Sequence, residues 1–200
     1  MERKIEEKIL SVYFNEYISH SKENLSKVQT ILNELEPHIL SDEFLDKTRN
    51  DFAPFVFKAS EIKQKEESIS EKLKSSGIKV SRFMRSVYYK EVLEDMRFYM
   101  NDLSSSKAYR DVFPWVDEEV NRLFVVIRIV HCGKDNSEKS KTRIAKAKQL
   151  LKTDSSAAAN LFIGMGSCHL FWFLRSMIFK YHFGIAWYSP SDLSPDTFFD

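Results

Sequence analysis

The fold turns on how one stretch is read: Phe113-Pro-Trp-Val-Asp-Glu-Glu-Val-Asn-Arg-Leu-Phe-Val-Val-Ile-Arg-Ile-Val-His-Cys-Gly133. Its second half, Leu123 to Val130, is rich enough in β-branched residues to be a strand. Its length and its opening favour a helix. Pro114 suits a first turn, the carboxylates of Asp117, Glu118 and Glu119 follow where a helix dipole favours them, and Gly133 is a natural stop. Read as a helix from about Phe113, it makes the chain all-α.

The flanking segments agree with that reading. Before it, Ser81 to Leu103 carries Phe83, Met84, Val87, Tyr88, Val92, Met96, Tyr99 and Leu103 as one apolar stripe, predicting a single amphipathic helix closed by a Ser104-Ser-Ser loop. Residues 2–36 repeat apolar positions at three- and four-residue steps, with a break or cap at Ser21 or Asn24 and an end at Pro37. Ser41-Asp-Glu-Phe starts a short helix, and Phe55 to Ser75 is a separate charged one that Ser76-Gly77 stops. After the central stretch come a polar loop over 134–140, a basic helix from Lys141 to Leu151, and a long apolar helix from Ala157 to about Phe183 that ends at Gly184. The tail from Ile185 is aromatic, and its two prolines argue against any helix there.

The expected architecture is therefore a multi-helix bundle with a long charged N-terminal helical region and an irregular aromatic C-terminal tail. A boundary near Gly77 separates residues 1–76 from a more compact 77–200, although both parts can belong to one domain. Of 200 residues, 43% are hydrophobic and 30% charged, enough for a sizeable core and too apolar for wholesale disorder. Thirty Lys and Arg balance 29 Asp and Glu, so the chain as a whole is no polycation built for nucleic acid. Two cysteines, Cys132 and Cys168, make no disulfide framework, and the charged N-terminus lacks the apolar core of a signal peptide, so a reducing, cytoplasmic setting is expected. Ala157 to Leu174 has no formal charge and is about long enough to cross a bilayer, but Asn160, Gly164, Gly166, Ser167 and His169 interrupt it. A core helix is the reading adopted, with a membrane span over 157–174 as the alternative.

No phosphate-binding, nucleophile-elbow or zinc-protease motif is present, and nothing in the sequence calls for a cofactor. Gly164 and Gly166 are read as small residues that let helices approach closely. The pairs His131-Cys132 and Cys168-His169 have zinc-like chemistry, but neighbours on a helix point about 100° apart, so no metal site is assigned. Asp117, Glu118 and Glu119 are read as first-turn helix chemistry with no catalytic part.

Three sets of residues stand out. Arg175 and His182 are seven positions apart, on one stripe of a regular helix and about 10.5 Å apart along its axis. The segment Arg175-Ser-Met-Ile-Phe-Lys-Tyr-His182 is similar over these eight residues to the Arg-x6-His motif of HEPN domains. That resemblance implies an all-helical, metal-independent ribonuclease acting as a homodimer, with His182 as acid or base and Arg175 holding the phosphate. In that family a strongly polar residue usually follows the arginine, where this chain has Ser176. The second set is Lys139, Lys141, Arg143, Lys146 and Lys148, within a run over 134–152 that suits an anionic partner, nucleic acid included, although no aromatic residue is interleaved for base stacking. The third is the tail's Trp187, Tyr188, Phe198 and Phe199, costly to leave in water and therefore expected to pack on the bundle or on a partner. Together these favour a non-catalytic helical protein that binds a protein partner or another copy of itself, with an anionic partner on the basic helix. The HEPN-like ribonuclease is the alternative.

Overall fold

The structure is a computed structural model that describes residues 2–17, 21–135, 137–164, 166–197 and 199. It is mainly α: 78% of the described residues are helical, and no strand occurs among them. In chain order the helices are α1 (Glu2–Tyr17), α2 (Ser21–Asn33), α3 (Asp42–Ser75), α4 (Arg85–Tyr88), α5 (Lys90–Ser105), α6 (Lys107–Cys132), α7 (Glu138–Leu150), α8 (Ser155–Asn160), α9 (Ser167–Ile178) and α10 (Pro190–Leu193). A 3₁₀ turn spans Arg82–Met84 and a π-turn spans Phe179–Phe183.

The deciding stretch is helical, and its start lies further upstream than the sequence suggests. Ser106 caps α6, its hydroxyl accepting the Tyr109 amide at 3.1 Å. Pro114 therefore sits inside the helix, and Asp117, Glu118 and Glu119 lie in its middle, not in its first turn. The proline is tolerated because the amide it lacks would have bonded the carbonyl of Arg110, and both Arg110 and Pro114 are exposed to water. The β-branched run is buried on every side, with Leu123, Phe124, Val125, Val126 and Ile127 at 1% exposure or less. It mimics a buried strand in composition because α6 is the central helix, with α8 and α9 against it and α1, α2, α3 and α5 around it.

Other boundaries move for similar reasons. Residues 42–75 form one 34-residue helix, where the sequence suggests a short helix followed by another. Ser41 caps it as expected, and Pro54 again lies at an exposed position, leaving the Asn50 carbonyl to water. The Gly77 stop holds: φ is 70°, and the Ile78 amide returns to the Leu73 carbonyl at 2.9 Å. The N-terminal helix is broken between α1 and α2, and α2 ends at Asn33, before Pro37. The single helix expected over 81–103 is split at Tyr89 (φ −112°, ψ 24°). Met84, Val87 and Tyr88 stay outside the core, with Val87 73% exposed, the Phe83 side chain lies outside the described residues, and the stripe is buried from Val92 onward. An Arg85–Glu66 ion pair to α3 and the Arg85 guanidinium over the Tyr89 ring hold the turn. The serine loop shrinks to Ser106 alone.

The long apolar helix expected over 157–183 is also broken. α8 ends at Asn160, and Gly166 adopts φ 74° to start α9. A Cβ at Gly164 or Gly166 would meet nothing within 4 Å, so these glycines serve the turn and not close packing. Among the described residues no helix is long and apolar enough to cross a membrane. The tail holds a one-turn helix, α10, because Pro190 occupies its first position, where no amide is needed, and Ser189 with Asp192 closes a capping box.

α9 runs antiparallel to α6, joined by Arg175 to Asp117, Phe171 on Phe124 and Ser167 to Arg128. α5 runs antiparallel to α3, with Lys58–Asp102 and Lys65–Asp95 ion pairs at 2.7 and 2.6 Å. One core draws residues from both sides of Gly77, from Ile9 and Phe52 to Phe124 and Phe183.

Candidate functional site

The Arg-x6-His spacing crosses the end of α9 into the π-turn, and the two side chains engage different groups. The Arg175 guanidinium donates to Asp117 Oδ1 at 2.6 Å and lies over the rings of Phe113 and Trp187, at 5.1 and 5.5 Å. His182 is 2% exposed, with its ring edge-on to Trp115 at 4.9 Å, and its carbonyl accepts from Arg49 Nε at 2.8 Å. Neither ring nitrogen has a hydrogen-bond partner among the described residues. Burial pushes the imidazole down to about 4, aided by Arg49 and His38 and opposed by Glu119. Asp117 thus holds the Arg175 guanidinium, and Trp115 stands against the His182 ring.

Against the Trp115 ring lies a cluster that sequence reasoning missed. His38, in the linker between α2 and α3, stacks on Trp115 at 5.1 Å and 12°. Its Nε2 lies 3.2 Å from Glu118 Oε2 and its Nδ1 3.3 Å from Glu119 Oε2. Glu119, 1% exposed, also meets Arg122 Nε at 3.2 Å. Arg122 Nη2 donates to the Glu36 carbonyl at 2.7 Å and lies 3.8 Å from Glu6 on α1. The cluster thus ties α1 and the α2–α3 linker to the centre of α6, beneath a cavity of about 430 Å³ lined in part by Glu36, His38, Glu118, Arg122, Lys152 and Asp154. Two buried carboxylates around one guanidinium give register to the packing, because each charge would be costly if stranded. The sequence signal was there: Glu119 and Arg122 interrupt a long apolar helix at an i, i+3 spacing.

The basic helix separates its charges onto two flanks. On the flank toward α2, Lys148 pairs with Glu34 at 2.6 Å, and Lys141 pairs with Glu138 at 2.9 Å. On the other flank Lys139, Arg143 and Lys146, at i, i+4 and i+7, share a stripe about 10.5 Å long. None of these three makes an ion pair with a described residue. Between the flanks Ala147 and Leu151 are buried against the bundle.

The tail lies on its own bundle. Trp187 and Tyr188 are half-buried: Trp187 is crossed by Arg175, while Tyr188 stands edge-on to Tyr99 at 5.6 Å with its hydroxyl pushed up to about 12 by burial. The Tyr99 hydroxyl donates to the Ala186 carbonyl at 2.8 Å. Phe199 meets the Trp172 ring edge-on at 5.2 Å, and Phe198 lies outside the described residues.

Both cysteines are free thiols, with Cys168 Sγ 3.3 Å from His169 Nδ1. His131 packs beside the rings of Tyr13 and Phe14. No group of three or more His, Cys, Asp or Glu side chains among the described residues is placed to hold a metal. No protein family, no curated protein and no solved structure matches the chain.

Proposed function

We propose that this chain is a non-catalytic helical interaction protein of the cytoplasm that docks an acidic segment of a protein partner along α7. The observation that carries this reading is the unpaired stripe of Lys139, Arg143 and Lys146, on a helix whose other flank is already neutralised. An acidic helix with carboxylates at the same i, i+4, i+7 spacing matches the stripe cation for carboxylate. Nucleic acid matches less well: three cations neutralise few phosphates, and no aromatic side chain stands among them for stacking.

The test is titration of the full chain with a helical peptide bearing glutamates at i, i+4 and i+7, followed by amide chemical shifts. Shifts should centre on residues 139–146, weaken with added salt, and weaken about tenfold when Lys139, Arg143 and Lys146 are all changed to Glu, since each exposed pair contributes well under 1 kcal/mol. Shifts that map elsewhere, tighter binding to a single-stranded RNA of equal charge, or unchanged binding by the reversed variant would each defeat the reading.

A further inference from the structure

On the outer face of α9, away from α6, lies a second cavity, about 570 Å³ in volume, within the size range of small-molecule sites. It is walled by the end of α1, by α9 and by the turn that carries α10. Its aromatic walls are Tyr13, Trp172 and Phe173, and the Met177 thioether adds a polarisable surface. Tyr13 and Phe173 are inclined to each other at 52°, with ring centroids 5.8 Å apart. Trp172 is steadied by edge contacts with His169 at 5.1 Å and Phe199 at 5.2 Å.

Among the described lining residues the carboxylate is Asp192 and the imidazole is His169, and no Lys or Arg lines the cavity. Asp192 Oδ2 accepts both the amide and the hydroxyl of Ser189, at 2.8 and 2.7 Å, which fixes the carboxylate. Its Oδ1 accepts no hydrogen bond from a described residue. Ring faces carry negative quadrupole potential, and a fixed carboxylate adds to it, so the aromatic walls and Asp192 together favour positive over negative charge. Aromatic walls do not satisfy a strongly hydrated ion, whereas a methylated ammonium sheds its water readily and offers an apolar surface to the rings.

We propose that this cavity binds a small soluble organic ammonium cation of the quaternary or methylated type, through the faces of Tyr13, Trp172 and Phe173 and the carboxylate of Asp192. The proposal is independent of the α7 reading.

The experiment titrates the full chain with choline and, separately, with 3,3-dimethyl-1-butanol, the neutral carbon isostere, reading the Trp172 indole and the amides of residues 169–177, 189, 191 and 192. Choline should bind saturably and about tenfold more tightly than the isostere, the size of effect a partly desolvated cation–π site provides. Asp192→Asn, which keeps a side-chain acceptor for the cap, should weaken choline and leave the isostere unchanged. Trp172→Leu should weaken choline more than the isostere. Equal affinities for the two compounds on the wild-type chain would show a merely apolar groove and overturn the proposal, whether or not either variant folds. Absence of saturable choline binding would overturn it too, as would binding to phosphatidylcholine vesicles without binding to free choline.

Discussion

His182 is a neutral imidazole sealed in an aromatic setting, and that has a thermodynamic cost at low pH. Its folded-state value, about 4, lies below the ordinary value of 6.5, so between these limits the unfolded chain binds the extra proton. Stability should therefore be fully present above about pH 6.5 and fall as pH drops toward 4, by about 3 kcal/mol from this residue alone. His131, also held down by burial and by Arg128 and Lys134, adds to the same slope. Urea midpoints at pH 7 and pH 5 check this: His182→Phe should flatten the difference, and an undiminished slope in that variant would place its origin elsewhere. The Arg122 cluster behaves differently, because its charges are partnered. Arg122→Met takes the guanidinium away from two buried carboxylates, Glu119 and Glu6, and should cost about 3–5 kcal/mol, whereas the double variant Glu119→Leu/Arg122→Met should cost clearly less than the two single changes summed. A double-mutant cycle in denaturant measures that coupling. The sequence made Arg175 and His182 legible as a spaced pair but not their fates, because Asp117 and Trp115 reach them from a different helix. Glu119 is hidden in the sequence because a helix start near Phe113 turns a buried mid-helix charge into apparent first-turn chemistry.

At the level of elements, helix type was readable and helix ends were not. The stops at Gly77, Gly133 and Gly184 and the cap at Ser41 depend on local backbone chemistry, and all appear where the sequence puts them. The two in-helix prolines and the split at Tyr89 depend instead on which side of the helix faces water and on a long-range Arg85–Glu66 pair. The glycine pair before α9 offers a direct test of turn against packing. Gly166→Ala forces a side chain into φ 74° and should cost about 1–2 kcal/mol. Gly164→Ala, with open space and no such φ, should change stability by less than about 0.5 kcal/mol. Equal losses in thermal denaturation would return both positions to a packing role.

For the molecule as a whole, the tail and the core belong to one arrangement. Trp187 roofs the Arg175–Asp117 pair, so Trp187→Ala removes an apolar cover and opens a charge pair to water at once. It should lower stability by about 2 kcal/mol, read as a shift in the denaturant midpoint with an unchanged slope. Composition told that these aromatics must be covered, but it could not choose between the bundle and a partner, since both remove the same area from water. The near-neutral net charge likewise concealed how the cations of α7 are divided between a paired flank and an unpaired one.

The bond from Arg122 to the Glu36 carbonyl spans 86 residues of sequence. A ribosome adds roughly 5–20 residues per second, so the linker waits roughly 4–17 s for the guanidinium that fixes it. During that interval Ile9, Leu10 and Phe14, fully buried in the finished fold, have only α2 for shelter among α2, α6 and α9, the helices that pack on α1. The nascent chain therefore carries an uncovered apolar hairpin until α6 emerges, and slow translation between codons 36 and 122 lengthens its exposure to chaperones and to aggregation.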